Sequence, residues 1–228
     1  MPEGNFFHYD QAAVDHLARK DKKLAAAMQA IGPVRREVMP DLFQALMHAI
    51  TGQQVSMAAQ RTVWGRLCGL LGEVTPQALL AQPQTALQAL GLSARKVDYM
   101  RGIARQVVDG ELDLPGMAAL EDAEVCRRLA ALRGIGVWTA EMLLLFSLQR
   151  PDILSYDDLA IRRGLRMLYR HKEMPRERFE RYRRRFSPYG SLASLYLWAI
   201  AGGALPELDD PAERKKGRSR PAASLKSR

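Results

Sequence analysis

Two adjacent carboxylates, Asp157 and Asp158, stand directly before a stretch in which Ile161, Leu165 and Leu168 recur at helical spacing. Aspartate is one of the most common N-cap residues, so one of the pair is expected to cap this helix. The other is then free for chemistry. Because the positive end of a helix dipole favours negative charge, a carboxylate here suits electrostatic stabilisation of a developing cation better than the role of a strong base.

A glycine-rich turn is the second informative feature. Residues 129–140 read Leu-Ala-Ala-Leu-Arg-Gly-Ile-Gly-Val-Trp-Thr-Ala, so Gly134-Ile135-Gly136 connects two apolar helical stretches. The glycines permit close approach to the main chain, and Ile135 can fill the space between the helices. The unpaired N–H groups at the second helix N-terminus could bind a phosphate without reading a base. The alternative is an ordinary helix connection with glycine caps, the commoner meaning of an isolated Gly-x-Gly.

Helical periodicity extends along nearly the whole chain and predicts an all-α fold. Ser93 is a plausible N-cap for an amphipathic helix that stops at Gly110, and Thr75-Pro76 is another start signal. No segment shows the sustained alternation that a half-buried strand requires. We predict one folded core over residues 1–205, with the hairpin at about 123–148, and a basic disordered tail over 206–228.

Charge and composition favour a nucleic-acid partner. Lys and Arg number 34 against 25 acids, which gives a net charge of +9. No apolar run is long enough to span a membrane, and no signal peptide is evident, so a soluble cytoplasmic protein is expected. Two cysteines cannot supply an iron–sulfur cluster or a Cys-only zinc site. We therefore expect no required cofactor.

Four segments together resemble the helix-hairpin-helix (HhH-GPD) DNA glycosylase superfamily, specifically its 3-methyladenine DNA glycosylase II branch. They are Gly-Gln-Gln-Val-Ser at 52–56, Leu-Arg-Gly-Ile-Gly-Val-Trp-Thr-Ala at 132–140, Asp-Asp-Leu-Ala-Ile-Arg-Arg at 157–163 and Ser-Pro-Tyr-Gly-Ser-Leu-Ala at 187–193. The resemblance implies two helical lobes with the active site in the cleft between them, without the amino-terminal β-rich domain of longer relatives. It also implies a monovalent cation, Na⁺ or K⁺, on the main-chain carbonyls of Ala130, Leu132 and Ile135.

The resemblance also assigns the two carboxylates. Asp158 aligns with the family's catalytic aspartate, which leaves Asp157 as the predicted cap. Breaking an N-glycosidic bond builds positive charge on the sugar, and a fixed carboxylate stabilises that state. Trp138 occupies the position where bifunctional members carry a lysine that forms a Schiff base. A tryptophan cannot do so, and we therefore predict base removal by water without lyase activity.

The resemblance places Trp138, Trp198 and Met142 in the base pocket. A flipped base stacks on an aromatic face, and a cationic base gains a cation–π contribution of about 0.5–2 kcal/mol. The alternative for each tryptophan is core packing. Gln53 and Gln54 fall where the family fills the space left by the flipped nucleotide, although they could be polar residues at a helix boundary. The predicted DNA contacts are Gln53, Gln54, Ser56, Gly134, Gly136 and Thr139.

These features predict a monomeric, monofunctional glycosylase acting on double-stranded DNA that contains alkylated, cationic purines such as 3-methyladenine and 7-methylguanine. Such bases depart without a general acid, and the sequence offers no second obvious catalytic group. One alternative is a non-catalytic helix-hairpin-helix module that recognises damaged DNA, which would have no need of Asp158. Another is a glycosylase for uncharged lesions such as hypoxanthine or ethenoadenine, which would need a donor to the leaving base.

Overall fold

The computed structural model describes residues 5–213, and within that range the chain is helical. The only extended pairing in this range is an isolated antiparallel bridge between Phe6 and Glu37, so the predicted all-α class is confirmed. The helices are α1 (Gln11–Lys20), α2 (Lys22–Ile31), α3 (Leu42–Gly52), α4 (Met57–Leu71), α5 (Pro76–Ala81), α6 (Gln84–Ala89), α7 (Ala94–Val108), a short 3-10 helix (Pro115–Ala119), α8 (Asp122–Ala130), α9 (Val137–Phe146), α10 (Leu159–Tyr169), α11 (Arg176–Phe186) and α12 (Gly190–Ala201).

Side-chain caps account for where several helices begin. The hydroxyl of Ser93 accepts a hydrogen bond from the N–H of Lys96 at the start of α7, and that of Thr75 accepts one from Ala78 at the start of α5. Both caps were predicted from the sequence. Each satisfies one of the N–H groups that the first turn of a helix leaves without a partner.

The helices form two lobes with separate hydrophobic cores. The central lobe consists of α3–α9, and the terminal lobe combines α1 and α2 with α10–α12, so both ends of the described chain meet in it. Typical buried residues of the central core are Leu46, Ile50, Leu67, Val97 and Leu145. Those of the terminal core include Leu17, Leu24, Leu165, Phe179 and Leu197. The predicted two-lobed architecture is therefore present.

Helices α10 and α12 of the terminal lobe approach each other closely at a glycine of α10. A Cβ added to Gly164 would lie 2.3 Å from the carbonyl oxygen of Leu197 in α12. This is far inside van der Waals contact, so only glycine lets the two backbones approach this closely. The packing fixes α10, whose first turn carries the candidate catalytic carboxylate, against α12.

The ordered chain extends past the predicted boundary at residue 205. Asp210 is 3% exposed and accepts hydrogen bonds from the guanidinium of Arg166 on α10. These hydrogen bonds lower the pKa of the Asp210 carboxyl. Composition misjudged this segment because ion pairs with arginines of α10 and its C-cap, above all those of the buried Asp210, help to attach it to the terminal lobe. The rest of the predicted tail, 214–228, lies outside the described residues.

No helix within the described range combines the length and the apolar character that crossing a membrane would demand.

Candidate active site

Asp158 is the N-cap of α10. Its backbone is extended, its Oδ1 accepts a hydrogen bond of 2.8 Å from the N–H of Ile161, and it is only 7% exposed. The prediction that Asp157 caps this helix was wrong, and Asp157 is exposed. An N-cap side chain accepts from the N–H group two or three residues later, and Asp158 has this spacing to Ile161, whereas Asp157 is four residues away. Capping and the predicted chemistry therefore fall on one residue.

Two indole groups converge on the same carboxylate. The Nε1–H of Trp138 donates to Oδ2 of Asp158 across 3.0 Å, and the Nε1–H of Trp198 donates to Oδ1 across 3.1 Å. Together with Ile161, three neutral donors stabilise a negative charge on a group that is almost removed from water. They also determine its orientation. Sequence reasoning expected both tryptophans to stack on the base and did not predict these hydrogen bonds.

The three elements of this cluster come from both lobes. Trp138 is in the first turn of α9 in the central lobe, whereas Asp158 begins α10 and Trp198 lies on α12 in the terminal lobe. The carboxylate therefore lies where the two lobes meet.

A cavity of about 260 Å³ adjoins the exposed ring of Trp138, which is 46% exposed. Trp138, Met142 and Phe146 line it at successive turns of one face of α9. The predicted pocket residues Trp138 and Met142 are thus brought together. Trp198 does not line this cavity but stacks behind it on Phe146, with ring centroids 5.4 Å apart. Phe146 was missed, although its spacing from Trp138 and Met142 is the signal that could have identified it.

Thr139 and His48 also line the cavity. Thr139, which was predicted as a DNA contact, lies in the first turn of α9. Burial lowers the pKa of His48, so its imidazole is neutral near pH 7. A neutral wall does not repel a cationic base. A larger groove of about 620 Å³ in the terminal lobe contains none of the predicted site residues.

The hairpin connects α8 to α9, as predicted. Gly134 has a φ of +89°, and a Cβ there would lie 2.2 Å from the ring of Tyr99, so both its conformation and its packing require glycine. Ile135 is buried between the helices. Gly136 is the N-cap of α9 and supplies no side-chain acceptor. The first N–H groups of α9 therefore have no side-chain cap and can donate hydrogen bonds to an external acceptor.

The polar residues of the loop after α3 make different contacts. The side-chain amide of Gln53 donates to the carbonyl of Gly134 across 2.6 Å, which ties this loop to the hairpin. Ser56 caps α4 by accepting from the N–H of Ala59. Gln54 has a φ of +56°, is exposed, and forms no side-chain hydrogen bond with the described residues. Three residues of this loop were predicted to contact DNA, and Gln54 is the one whose side chain forms no hydrogen bond with the described residues.

The three carbonyls predicted to hold a monovalent cation fit that role in part. Within the described chain, the carbonyls of Ala130 and Ile135 accept no hydrogen bond, whereas that of Leu132 accepts one from the N–H of Ile135. A carbonyl oxygen has two lone pairs, so Leu132 retains one for a ligand. Neutral oxygen donors are suitable for Na⁺ or K⁺. No group of three or more His, Cys, Asp or Glu side chains within residues 5–213 is arranged to hold a metal ion.

A second link between α9 and the carboxylate-bearing loop was missed by sequence reasoning. The fully buried hydroxyl of Ser155 donates a short hydrogen bond to Oε2 of Glu141, one turn along α9 from Trp138. Burial raises the pKa of Glu141, an effect opposed by the hydrogen bond from Ser155. Glu141 is the only charged residue of α9, and this isolation in an apolar helix was the available signal.

A family model for HhH-GPD superfamily base excision DNA repair proteins matches residues 47–188, more than half of the chain. This chain belongs to the HhH-GPD superfamily. The matched span contains the hairpin, Trp138 and Asp158, while Trp198 lies beyond it. The predicted superfamily is thus confirmed.

Other HhH-GPD proteins are similar over most of their length. DNA-3-methyladenine glycosylase 1 of Schizosaccharomyces pombe is 30% identical over 209 residues, covering 88% of this chain and 91% of the relative. The crystal structure of a DNA-3-methyladenine glycosidase from Bacillus halodurans superposes with a TM-score of 0.80 at 34% identity, covering 89% and 95% of the two chains. A 3-methyladenine DNA glycosylase of S. pombe in complex with abasic DNA gives 0.72 at 30% identity, covering 82% and 95%.

Proposed function

We propose that this HhH-GPD protein is a monofunctional DNA glycosylase that hydrolyses the N-glycosidic bond of alkylated, cationic purines in duplex DNA during base excision repair. The observation that carries the proposal is the buried carboxylate of Asp158, held by two indole N–H groups beside an aromatic cavity. The similar proteins named for 3-methyladenine, one of them bound to abasic DNA, support both the reaction and the partner.

The chemistry follows from where positive charge develops. As the glycosidic bond lengthens, the sugar becomes oxocarbenium-like, and a carboxylate that is already desolvated and oriented stabilises it without rearrangement. The three donors to Asp158 hold it in place before the reaction. Water then adds to the sugar. A purine that carries an alkyl group on the ring is already cationic, so it leaves as a neutral base without a general acid.

The pocket favours such a base. The half-exposed ring of Trp138 offers a face for stacking, and a cationic base over it gains about 0.5–2 kcal/mol from cation–π attraction. Because burial lowers the pKa of His48, this side chain does not place a positive charge in the cavity wall that would repel a cationic base. Met142 and Phe146 add apolar contacts.

The proposal includes the absence of lyase activity. No lysine is among the described residues that line the cavity, and Trp138 occupies the position predicted for a Schiff-base lysine. Lys96, the only lysine in the sequence from α3 to α9, donates its amino group to the carbonyl of Thr51. All the groups invoked come from one chain, so the reaction requires no second copy.

DNA is proposed to bind over the hairpin, with a backbone phosphate at the uncapped N-terminus of α9 and Gln54 in the space left by the flipped nucleotide. A Na⁺ or K⁺ ion on the carbonyls of Ala130, Leu132 and Ile135 would stiffen the turn and add positive charge there. Exchanging K⁺ for tetramethylammonium at constant ionic strength should then weaken DNA binding. Equal affinity in both salts would exclude the cation.

The deciding experiment measures base release from methylated duplex DNA by wild type, Asp158→Asn and Asp157→Asn. We expect wild type to release 3-methyladenine or 7-methylguanine, and Asp158→Asn to be slower by at least about 100-fold. Asp157→Asn is the matched control, since its carboxylate is exposed and should leave the rate unchanged. Binding to an abasic-site analogue verifies that Asp158→Asn still recognises DNA.

Two outcomes would contradict the proposal. If wild type binds the analogue but releases no base, the chain is a recognition module. If it releases hypoxanthine faster than methylated purines, its substrates are uncharged lesions. Borohydride trapping of a covalent complex with DNA would show a lyase and would contradict the monofunctional assignment.

A further inference from the structure

Helix α10 and its C-cap residue together present four arginines, and three of them form ion pairs with the segment at 209–213. The ion pairs are Arg163 with Asp210 and Glu213, Arg166 with Asp210, and Arg170 with Asp209. Arg162 is different, since it forms no ion pair with any residue of the described chain. Its Nε is buried without a hydrogen-bond acceptor there. A guanidinium without an acidic partner is available for an external anion.

Arg162 shares an aromatic ring with a second arginine. The Cζ atoms of Arg162 and Arg176 each lie 4.9 Å from the ring centroid of Tyr156, so the two guanidinium carbons are at most twice that distance apart. Arg176 lies in the first turn of α11, and its side chain is 65% exposed. We refer to Tyr156, Arg162 and Arg176 as the arginine platform.

The acids near the arginine platform are shared with other arginines. Oε1 of Glu180 lies 3.4 Å from Nε of Arg176, and its Oε2 lies 3.7 Å from Nη1 of Arg183, so one carboxylate serves two guanidinium groups. Glu141 also interacts electrostatically with both Arg176 and Arg183, and burial raises the pKa of its carboxyl. Asp157 follows Tyr156 in sequence and forms no ion pair within the described residues. Two like charges held against one ring repel each other, and a bound anion relieves that repulsion.

The arginine platform is attached to the catalytic segment. Tyr156 precedes Asp158 by two residues, and Arg162 is one helical turn beyond it, with its N–H bonded to the carbonyl of Asp158 across 3.1 Å. An anion held by the platform therefore has a nearly fixed position relative to the carboxylate. Guanidinium groups match phosphate oxygens geometrically and can bind them through paired hydrogen bonds.

We infer that the arginine platform binds backbone phosphate of the damaged strand next to the flipped nucleotide and so sets the position of the sugar relative to Asp158. This site is separate from the hairpin, which belongs to the central lobe. The inference rests on the proposed function, because the damaged strand must lie across Asp158. A phosphate contact positions DNA without reading its sequence, so the contribution should not depend on the bases that flank the damaged nucleotide.

The test compares Arg162→Gln, Arg176→Gln and the double variant with Arg184→Gln. Arg184 is the matched control because it is an exposed arginine of α11 that has no partner in the described chain. Affinity for duplex DNA with an abasic-site analogue is measured at several KCl concentrations in an Asp158→Asn background. Each lost phosphate contact should reduce the slope of log K against log [salt] by about 0.9, while Arg184→Gln leaves it unchanged.

Arg162→Lys guards against loss of folding, since it retains the charge on Tyr156 and should retain most of the slope. The binding loss should also be the same factor for abasic-site duplexes with different flanking sequences. If neither Arg162→Gln nor Arg176→Gln changes the slope, or if Arg184→Gln reduces it equally, the arginine platform is not a specific phosphate site. An unchanged slope in variants of an enzyme that releases base would overturn this inference alone. Absence of base release by wild type, with the slopes changed as expected, would instead overturn only the proposed reaction.

Discussion

The indole N–H of Trp138 donates to Oδ2 of Asp158 across 3.0 Å, although the two residues are twenty positions apart and belong to different lobes. Trp138 is in the first turn of the helix that begins at the Gly134-Ile135-Gly136 hairpin. In the proposed function, DNA that docks on this hairpin is held by the same helix that orients the carboxylate. The bond would then join DNA binding to catalysis through a single side chain.

Removing either indole donor should slow the chemical step. Trp198→Phe retains a ring that can stack on Phe146 but loses the hydrogen bond to Oδ1, and Trp138→Phe loses the bond to Oδ2. Hydrogen bonds to charged groups contribute about 1.5–3 kcal/mol, so each variant should lose about tenfold or more in single-turnover base release. Trp64→Phe is the control, because Trp64 packs on His48 and does not contact the carboxylate. Rates equal to this control would show that the donors are dispensable.

The two glycines of the hairpin should respond differently to a methyl group. Gly134→Ala forces a φ of +89° on alanine and drives its Cβ into Tyr99, which we expect to cost about 2–4 kcal/mol and lower the Tm accordingly. Gly136→Ala meets open space, and because alanine is a poorer N-cap than glycine it should lower the Tm only slightly. In the proposed function its methyl group lies where a backbone phosphate approaches, so DNA affinity should fall by about tenfold. Calorimetry measures the Tm, and titration with DNA measures the affinity. A larger Tm loss in Gly136→Ala than in Gly134→Ala would refute this account of the turn.

The α10–α12 contact predicts a stability effect with little room for relaxation. In Gly164→Ala, the new methyl group would meet the main chain of Leu197, which cannot rotate away as a side chain can. We expect a loss of at least about 1–3 kcal/mol, or about 2–4 °C in Tm per kcal/mol. Gly102→Ala in α7 has free space and should stabilise the chain by about 0.5–1 kcal/mol. Thermal unfolding of both variants measures the two changes in Tm. Equal Tm shifts would contradict the close approach of α10 and α12 at Gly164.

Glu141 should make stability depend on pH. Burial raises its folded pKa above the ordinary value of 4.5, so its contribution is fully present below that pH and is lost as the pH rises through the folded pKa. Glu141→Gln keeps an acceptor for Ser155 without the charge. At pH 8 its Tm should exceed that of wild type, by no more than about 2–4 °C for a difference near 1 kcal/mol.

The same comparison at lower pH tests the cause. The advantage of Glu141→Gln should shrink as the pH approaches 4.5, because the wild-type carboxyl then takes up its proton. Glu177→Gln serves as the control at an exposed position of α11 and should show no such trend. A Tm difference that is constant from pH 4.5 to pH 8 would mean that burial of the charge is not responsible.

Local features of this protein followed from the sequence because they depend on near neighbours. The helices, the caps at Ser93 and Thr75, the hairpin glycines and the helix start after Asp157-Asp158 all depend on periodicity and on residues within one turn. The resemblance to the superfamily placed Trp138 and Met142 in one pocket, and both residues line the same cavity.

Other features became visible only when distant segments met. The choice between Asp157 and Asp158 as cap needed backbone geometry, and the segment at 206–213 was assigned to the tail because its composition does not reveal the Arg166–Asp210 ion pair. The sequence by itself determined which helices form and where the carboxylate stands. Only the tertiary structure decided which donors hold it, because hydrogen bonds between helices of different lobes depend on how the whole chain packs.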